Sequence, residues 1–185
     1  MIKMKVAGSP IGHSLSPLLH NHAYQLLGVA AEFTSEEVNE STFPDFYYNC
    51  RDSGYRGLSL TMPLKEIAIG FADRVDPIAK QIASVNTIIF ESTGSIGLST
   101  DLLAFKNLLA PYFGKRVAIL GAGGTARAAI GALSGTNTQV SILTRSMNRH
   151  DQLHAAAKDL EIEFLDWHTF AAVSYTHLTL PTKRI

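Results

Sequence analysis

The sequence has 185 residues, 46% of them hydrophobic and 17% charged, which is typical of globular α/β proteins rather than of disordered or fibrous chains. Its 16 basic residues balance its 16 acidic residues, so no net field attracts nucleic acid or an anionic membrane. Cys50 is the only cysteine, which excludes an intramolecular disulfide framework and a thiolate metal cluster and favours a reducing compartment.

The apolar runs and the N-terminal residues determine the expected location. No apolar run approaches the ~20 residues that cross a bilayer, and Lys3 and Lys5 lie inside a strand-like run rather than in a secretory signal pattern. We therefore expect a cytoplasmic protein that acts on a small molecule, without a nucleic-acid or membrane partner. The oligomeric state is left open, with a homodimer as one expectation.

The N-terminal part of the sequence alternates strand-like and helical segments. The pattern predicts strands over residues 4–7, 31–34 and 56–61 and helices over residues 17–27 and 43–51. This alternation favours an α/β fold, with a mostly parallel sheet and helices packed over it. In the first helix we expect Ser16 as the N-cap, Pro17 as the first residue and Gly28 as the end. Its leucines recur on one face, which is predicted to face the core.

A second α/β unit is predicted after residue 100. Thr100 and Asp101 are typical of the cap of a helix over residues 102–109, and an apolar strand follows at residues 116–120. We therefore divide the sequence into a first α/β domain over residues 1–100, a partial Rossmann-type dinucleotide-binding domain over residues 101–173, and a tail over residues 174–185.

The strongest local motif follows the strand over residues 116–120. It consists of Gly121, Ala122, Gly123, Gly124, Thr125 and Ala126 and leads into an alanine-rich helix. Gly121 permits a sharp turn, Gly123 lets backbone N–H groups approach a pyrophosphate, and Ala126 allows close packing of helix on strand. The positive end of the helix dipole also favours an anion. This setting favours dinucleotide binding over a glycine turn that binds nothing.

Arg145 stands where this kind of fold selects its cofactor. An NAD site places an acidic residue about 20 residues past the glycines, at the end of the next strand. Here the strand over residues 139–143 is followed by Thr144, Arg145 and Ser146. The Arg145 guanidinium can pair with a 2′-phosphate, and the two hydroxyls can add hydrogen bonds. We therefore predict NADP as the cofactor, and the alternative is an ordinary surface arginine.

Two serines at the start of the first helix suit an anionic ligand. Ser14 and Ser16 lie two residues apart, where hydroxyls and the positive end of the helix dipole can bind a carboxylate. Ser16 could instead only cap the helix. His13, His20 and His22 lie nearby but lack the ligand spacing of a metal site. We expect these histidines to pack or hydrogen bond, and we expect no metal.

Lys65 has the chemistry of a proton donor if other polar groups accompany it. It comes just after a strand end that breaks at Pro63, and two later polar segments contain Asn86 and Asp101. Asn86 offers an amide for substrate hydroxyls, and Asp101 offers a carboxylate at a helix start. Taken alone, Lys65 would be a solvated surface lysine and Asp101 a helix cap.

Taken together, these motifs resemble the shikimate dehydrogenase family. The residues that carry the resemblance follow the family's order and spacing: Ser14, Ser16, Pro17, His20, Asn21, Thr61, Pro63, Lys65, Val85, Asn86, Thr87, Thr100, Asp101 and the glycine turn over residues 121–128. The resemblance extends from residue 4 to about residue 170 and includes motifs from both predicted domains.

The resemblance implies an oxidoreductase that uses NADP to interconvert 3-dehydroshikimate and shikimate, a step towards chorismate and the aromatic amino acids. It implies that Ser14 and Ser16 bind the substrate carboxylate and that Thr61, Asn86 and Asp101 bind its hydroxyls. It also implies that Lys65 and Asp101 form the catalytic pair in contact with the substrate. An ammonium group beside a ketone oxygen stabilises the negative charge that develops there and can supply the proton.

The sequence departs from the family pattern at several positions. Ser59 and Ser99 stand where asparagine is usual, Ala104 stands where glycine is usual, and Thr144 replaces the asparagine before Arg145. These changes leave room for a relative that oxidises quinate. A methylenetetrahydrofolate dehydrogenase would share the architecture, but the paired serines and the Lys65 to Asp101 spacing argue against it.

The C-terminal residues differ most from the family. The family continues with further strands, helices and a glutamine-containing motif, whereas residues 174–185 resemble a translated sequencing adapter. We expect this tail to be non-native, and the alternative is an ordinary strand. The dinucleotide domain is expected to keep its first two strands and a third over residues 162–165. A non-catalytic nucleotide-binding fragment is accordingly a second hypothesis for the function.

Overall fold

The structure is a computed structural model that describes residues 1–145 and 148–168, together with the backbone of residues 176 and 177. The chain divides into two units, Met1–Thr100 and Asp101–Ile185. No helix within the described residues has the length and apolarity needed to cross a membrane.

A six-stranded mixed sheet forms the centre of the first unit. Its strands are β1 (Ile2–Gly8), β2 (Ala31–Glu37), β3 (Gly57–Leu60), β4 (Arg74–Val75), β5 (Thr87–Glu91) and β6 (Gly94–Leu98), in the order β2-β1-β3-β5-β6-β4. The helices are α1 (Ser16–Leu27), α2 (Phe43–Asp52), α3 (Leu64–Ile67) and α4 (Pro77–Gln81), with a 3-10 turn, η1 (Ala68–Gly70). Most neighbouring strands are parallel, and only β5 runs antiparallel to its neighbours β3 and β6.

The core of this unit lies between the sheet and α2. That helix buries Phe43, Phe46, Tyr47 and Cys50 against the sheet. The Tyr47 hydroxyl finds a partner in the Ser95 hydroxyl, 2.7 Å away. Burial raises the pKa of the Cys50 thiol to about 11. Because a thiol with that pKa stays protonated near neutral pH, Cys50 acts as a small apolar core residue.

Helix α1 contacts the sheet with its polar face. The side-chain amide of Asn21 forms two hydrogen bonds with β2. Its Nδ2 donates to the Phe33 carbonyl and its Oδ1 accepts from the Phe33 N–H, each at 2.8 Å. His20 stacks on the Phe33 ring with centres 4.3 Å apart. The prediction that the leucine face turns to the core is therefore wrong, since Leu18, Leu19, Leu26 and Leu27 are each at least 66% exposed. Hydrogen bonds to β2, which periodicity does not encode, orient the helix.

The second unit is built on a parallel sheet. Its elements are α5 (Thr100–Leu109), a 3-10 turn η2 (Ala110–Tyr112), β7 (Arg116–Leu120), α6 (Gly124–Leu133), β8 (Gln139–Thr144), α7 (His150–Ala157), β9 (Ile162–Asp166) and β10 (Thr176–His177). The strand order is β10-β7-β8-β9, and all three pairs are parallel. The prediction of a third strand over residues 162–165 is confirmed.

Two boundaries in this unit bear on the predictions. Helix α5 begins at Thr100, so Asp101 lies in its first turn and the predicted start at residue 102 is wrong. Thr176 and His177 form β10 beside β7. The other residues of the predicted tail, 174–185, lie outside the described residues.

A close approach of two backbones occurs where β1 and β3 end. The Ser9 N–H donates to the Met62 carbonyl and the Thr61 N–H donates to the Ala7 carbonyl, both at 2.9 Å. A Cβ added to Gly8 would overlap the Thr61 methyl group and lie 2.7 Å from the Met62 carbonyl oxygen. Only glycine therefore fits at Gly8, and the loops that follow β1 and β3 are held side by side.

We expect Asn21→Ala to lower the free energy of unfolding by about 2 kcal/mol, because the Phe33 N–H and carbonyl lose their partner. Urea denaturation measures this change. Gln25→Ala, at an exposed position of the same helix, is the control and should stay within about 0.5 kcal/mol of wild type. Equal stability of the two variants would show that the hydrogen bonds between Asn21 and Phe33 do not orient α1.

We expect Gly8→Ala to destabilise the protein by about 2–3 kcal/mol, because its Cβ would force the β1 and β3 loops apart. Gly12→Ala in the same loop is the control, since a Cβ there would meet no described atom within 4 Å. Thermal and urea unfolding compare the two variants. A Gly8→Ala protein as stable as Gly12→Ala would contradict the close approach.

Candidate functional site

The two predicted carboxylate-binding serines lie between β1 and the first turn of α1. Ser16 is the first residue of the helix, and Leu15 occupies the N-cap position without a side-chain cap. The Ser14 hydroxyl accepts a hydrogen bond of 3.3 Å from the Ser16 N–H. The prediction of Ser16 as the N-cap is therefore wrong, because Ser16 already lies inside the helix and its own N–H donates to the Ser14 hydroxyl. Both serines are partly exposed.

The segment with Lys65 begins directly after β3. The Leu64 N–H donates to the Thr61 carbonyl at 2.8 Å, which closes a tight turn into α3. Lys65 is the second residue of α3, and its carbonyl accepts from the Val85 N–H at 2.8 Å. Thr61 and Lys65 are both partly exposed. Backbone hydrogen bonds thus fix this segment between β1 and the residues that precede β5.

Asn86 connects three segments of the first unit. Its side chain is 9% exposed, and its Oδ1 accepts from the Thr100 N–H at 3.0 Å and from the Thr87 hydroxyl at 2.9 Å. Its Nδ2 donates to the Thr100 hydroxyl at 2.9 Å, and its carbonyl accepts from the Leu60 N–H at 2.7 Å. Asn86 therefore holds the ends of β3 and β6 at the start of β5. Sequence reasoning did not identify this structural role.

These segments meet at one edge of the six-stranded sheet. The parallel strands β1 and β3 end at that edge. Because β5 is antiparallel to β3, with Thr87 opposite Ser59, its first residue lies at the same edge. The structure thus brings three segments to one end of the first unit: residues 9–16 (the serine loop), residues 61–67 (the Lys65 segment) and Asn86. Asp101 follows Thr100 in the chain and belongs to the second unit.

The glycine turn of the second unit joins β7 to α6. Gly121 has φ +111°, a conformation that favours glycine. A Cβ added at Gly121 or Gly123 would meet no described atom within 4 Å, so open space lies against this backbone. Gly123 caps α6 in an extended conformation without a side-chain cap, and Ala126 is buried at 6% exposure. The turn therefore fits a pyrophosphate beside the first N–H groups of α6.

A buried arginine links the helix after the glycine turn to the next helix. Arg127 is fully buried in α6, and its Nη1 donates to Gln152 Oε1 at 3.0 Å. Gln152 lies in the first turn of α7, directly after the loop that contains Arg145. Sequence reasoning missed this link, although an arginine within an alanine-rich helix is a visible signal.

The residues predicted to select NADP follow β8. Thr144 is the last residue of that strand, and Arg145 is exposed just beyond it. The guanidinium carbon of Arg145 lies 5.1 Å from the centre of the Trp167 ring. Ser146 lies outside the described residues. Sequence reasoning also missed Trp167, although it is the only tryptophan of the chain and lies two residues beyond the predicted third strand.

One of the three histidines near α1, His20, has packing contacts, and His13 and His22 are exposed. His20 stacks on Phe33, and its Nδ1 lies 3.3 Å from the Tyr24 hydroxyl. This confirms the predicted packing role of His20. Within the part of the chain that the structure describes, no group of three His, Cys, Asp or Glu side chains could hold a metal ion.

Comparison with known sequences finds similarity to shikimate dehydrogenases. Residues 6–88 match the family model of the shikimate dehydrogenase substrate binding domain. The NADP(+)-type shikimate dehydrogenase of Bacillus cytotoxicus is 34% identical in an alignment of 160 positions that covers 83% of this chain and 58% of that protein. The enzyme of the same name from Carboxydothermus hydrogenoformans is 36% identical, over 84% of this chain and 56% of that protein.

Solved structures agree with these sequences. Shikimate dehydrogenase from Aquifex aeolicus has a TM-score of 0.81 and 27% identity over 94% of this chain and 66% of its own. Shikimate 5-dehydrogenase from Thermus thermophilus, in complex with NADP(H) and shikimate, has a TM-score of 0.77 and 30% identity over 89% of this chain and 63% of its own.

The chain spans a little more than half the length of the curated relatives that it matches. The match nevertheless runs through both units and includes the serine loop, the Lys65 segment and the glycine turn. Together with the sheet topology, these comparisons lead to one conclusion: residues 6–88 match the shikimate dehydrogenase substrate binding domain, and the chain is similar to shikimate dehydrogenases over both units.

Proposed function

We propose that this chain carries the substrate and cofactor residues of an NADP-dependent shikimate dehydrogenase, which reversibly reduces 3-dehydroshikimate to shikimate. The observation that carries the proposal is the meeting of the serine loop, the Lys65 segment and Asn86 at one sheet edge. These residues fall within the region that matches the substrate binding domain. We further propose a cytoplasmic enzyme of aromatic amino acid biosynthesis, for which the homodimer stays a prediction.

The substrate is an anion with several hydroxyl groups, and each feature has a proposed partner. Ser14 and Ser16 bind the carboxylate beside the first turn of α1, where hydroxyls and the helix dipole favour negative charge. Thr61 and Asn86 hydrogen bond the substrate hydroxyls. Asn86 is suited to this role because its contacts with Thr87 and Thr100 hold its amide in one orientation.

Lys65 is proposed as the group that handles the proton. Reduction of the ketone places negative charge on its oxygen, and the Lys65 ammonium stabilises this charge and then transfers a proton to the oxygen. In the reverse direction Lys65 removes that proton from the hydroxyl. Asp101 is proposed as the second catalytic residue, whose carboxylate accepts a hydrogen bond from a substrate hydroxyl and so fixes the direction of the reacting group.

NADP is proposed to bind the second unit. The glycine turn, Gly121, Ala122, Gly123, Gly124, Thr125 and Ala126, would hold the pyrophosphate, and Thr144, Arg145 and Ser146 would hold the 2′-phosphate. The open space at Gly121 and Gly123 and the exposed guanidinium of Arg145 support this assignment. When bound, NADPH supplies the hydride that reduces the ketone carbon.

A second candidate is a chain that binds nucleotide and substrate without turnover. It needs only the residues proposed above for binding, which are Ser14, Ser16, Thr61, Asn86 and the glycine turn. The two candidates differ in one observable: both predict binding of NADP⁺ and shikimate, and only the first predicts formation of NADPH from that mixture.

We expect Lys65→Met to lower kcat for shikimate oxidation by about 100-fold or more and to change KM by only a few-fold, because the proton acceptor is lost while the binding groups remain. NADPH absorbance measures the rate, with shikimate and quinate assayed in parallel. Lys80→Met, which changes an exposed lysine of α4, is the control and should have the wild-type rate. Wild-type turnover in Lys65→Met would overturn the proposed role of Lys65.

A further inference from the structure

The ends of two parallel strands bring an arginine and a tryptophan together in the second unit. Strands β8 and β9 are in register, with Thr144 opposite Asp166, which are the last residues of the two strands. Arg145 directly follows Thr144, and Trp167 directly follows Asp166. Both therefore leave the sheet at the same edge, where β7 also ends and the glycine turn begins.

The geometry of this pair is that of a cation–π contact. The guanidinium carbon of Arg145 lies 5.1 Å from the centre of the Trp167 ring, within the ~6 Å range of such contacts, for which tryptophan is the strongest partner. Trp167 is partly buried and Arg145 is exposed. A ring face attracts the guanidinium through its charge, so the N–H donors of Arg145 stay available for an acceptor such as a phosphate.

We propose that Trp167 is a positioning residue that holds Arg145 for the 2′-phosphate of NADP and so strengthens the preference for NADP over NAD. This inference rests on the proposed function, because it assigns a ligand to the same cofactor site. An exposed arginine has several rotatable bonds, and binding costs less entropy when its side chain is already ordered. NAD carries a hydroxyl in place of that phosphate, so it gains much less from an ordered guanidinium.

The fluorescence of Trp167 can monitor this contact. Trp167 is the only tryptophan among the 185 residues, so indole fluorescence arises from this position alone. Titration with adenosine 2′-phosphate should change the emission, because a phosphate bound to the guanidinium places negative charge beside the indole ring. Adenosine 5′-phosphate is the matched ligand without a 2′-phosphate and should give a much smaller change at the same concentration.

Calorimetric titration of NADP⁺ and NAD⁺ into variants of the 185-residue chain tests the proposal. We expect Trp167→Leu to weaken NADP⁺ binding by about 3- to 30-fold and to leave NAD⁺ binding within a factor of about two. Trp167→Phe, which keeps a weaker ring face, should lie between Trp167→Leu and wild type. In an Arg145→Ala background, Trp167→Leu should have no further effect on the ratio of the two affinities. Circular dichroism establishes that each variant is folded.

The outcomes separate this inference from the proposed function. If wild type prefers NADP⁺ and Trp167→Leu keeps the same ratio, Trp167 does not position Arg145, while the cofactor assignment stands. A loss of affinity that is equal for both cofactors, or one that persists in full without Arg145, marks a purely structural role and also overturns the inference. Absence of binding by wild type overturns the proposed cofactor site and the inference with it.

Discussion

The close approach of the β1 and β3 backbones at Gly8 is the constraint on which the proposed substrate site depends. A side chain at Gly8 would overlap Thr61 and crowd the Met62 carbonyl, so the two loops could not be held together. Because they are, the serines after β1 and the lysine after β3 come from sequence positions about 50 apart to one sheet edge. Asn86 extends the same edge through its contacts with Leu60 and Thr100.

The second unit also brings distant residues together at one edge of a sheet, where they suit a dinucleotide. Parallel strands bring the glycine turn, Arg145 and Trp167 to the edge where β7, β8 and β9 end. The backbone at the turn suits a pyrophosphate, and the side chains beyond β8 and β9 suit the other end of a dinucleotide. The buried link from Arg127 to Gln152 ties α6 to the helix that follows the Arg145 loop. Each unit thus carries one of the two groups of residues that the proposed function needs.

The features that could be predicted from the sequence are those that depend on residues close together in the chain. The glycine turn was predictable because strand, glycines and helix follow one another without a gap. The place of Arg145 just beyond β8 was predictable for the same reason, and its role toward a cofactor stays a prediction. The orientation of α1 was not predictable, since Asn21 and β2 fix it from outside the helix. The contacts of Asn86 with Thr100 and of Arg145 with Trp167 join residues that are 14 and 22 positions apart. Only the sheet brings these partners together.

The most direct test of two half-sites on one chain is an NMR titration of the ¹⁵N-labelled protein. The account predicts that shikimate shifts the amides of Ser14, Ser16, Thr61, Lys65 and Asn86, and that NADP⁺ shifts those of the glycine turn and Arg145. Both effects are expected whether or not the chain turns over. Shikimate shifts that leave Ser14, Lys65 and Asn86 unchanged, or NADP⁺ shifts that leave Gly121, Gly123 and Arg145 unchanged, would contradict it.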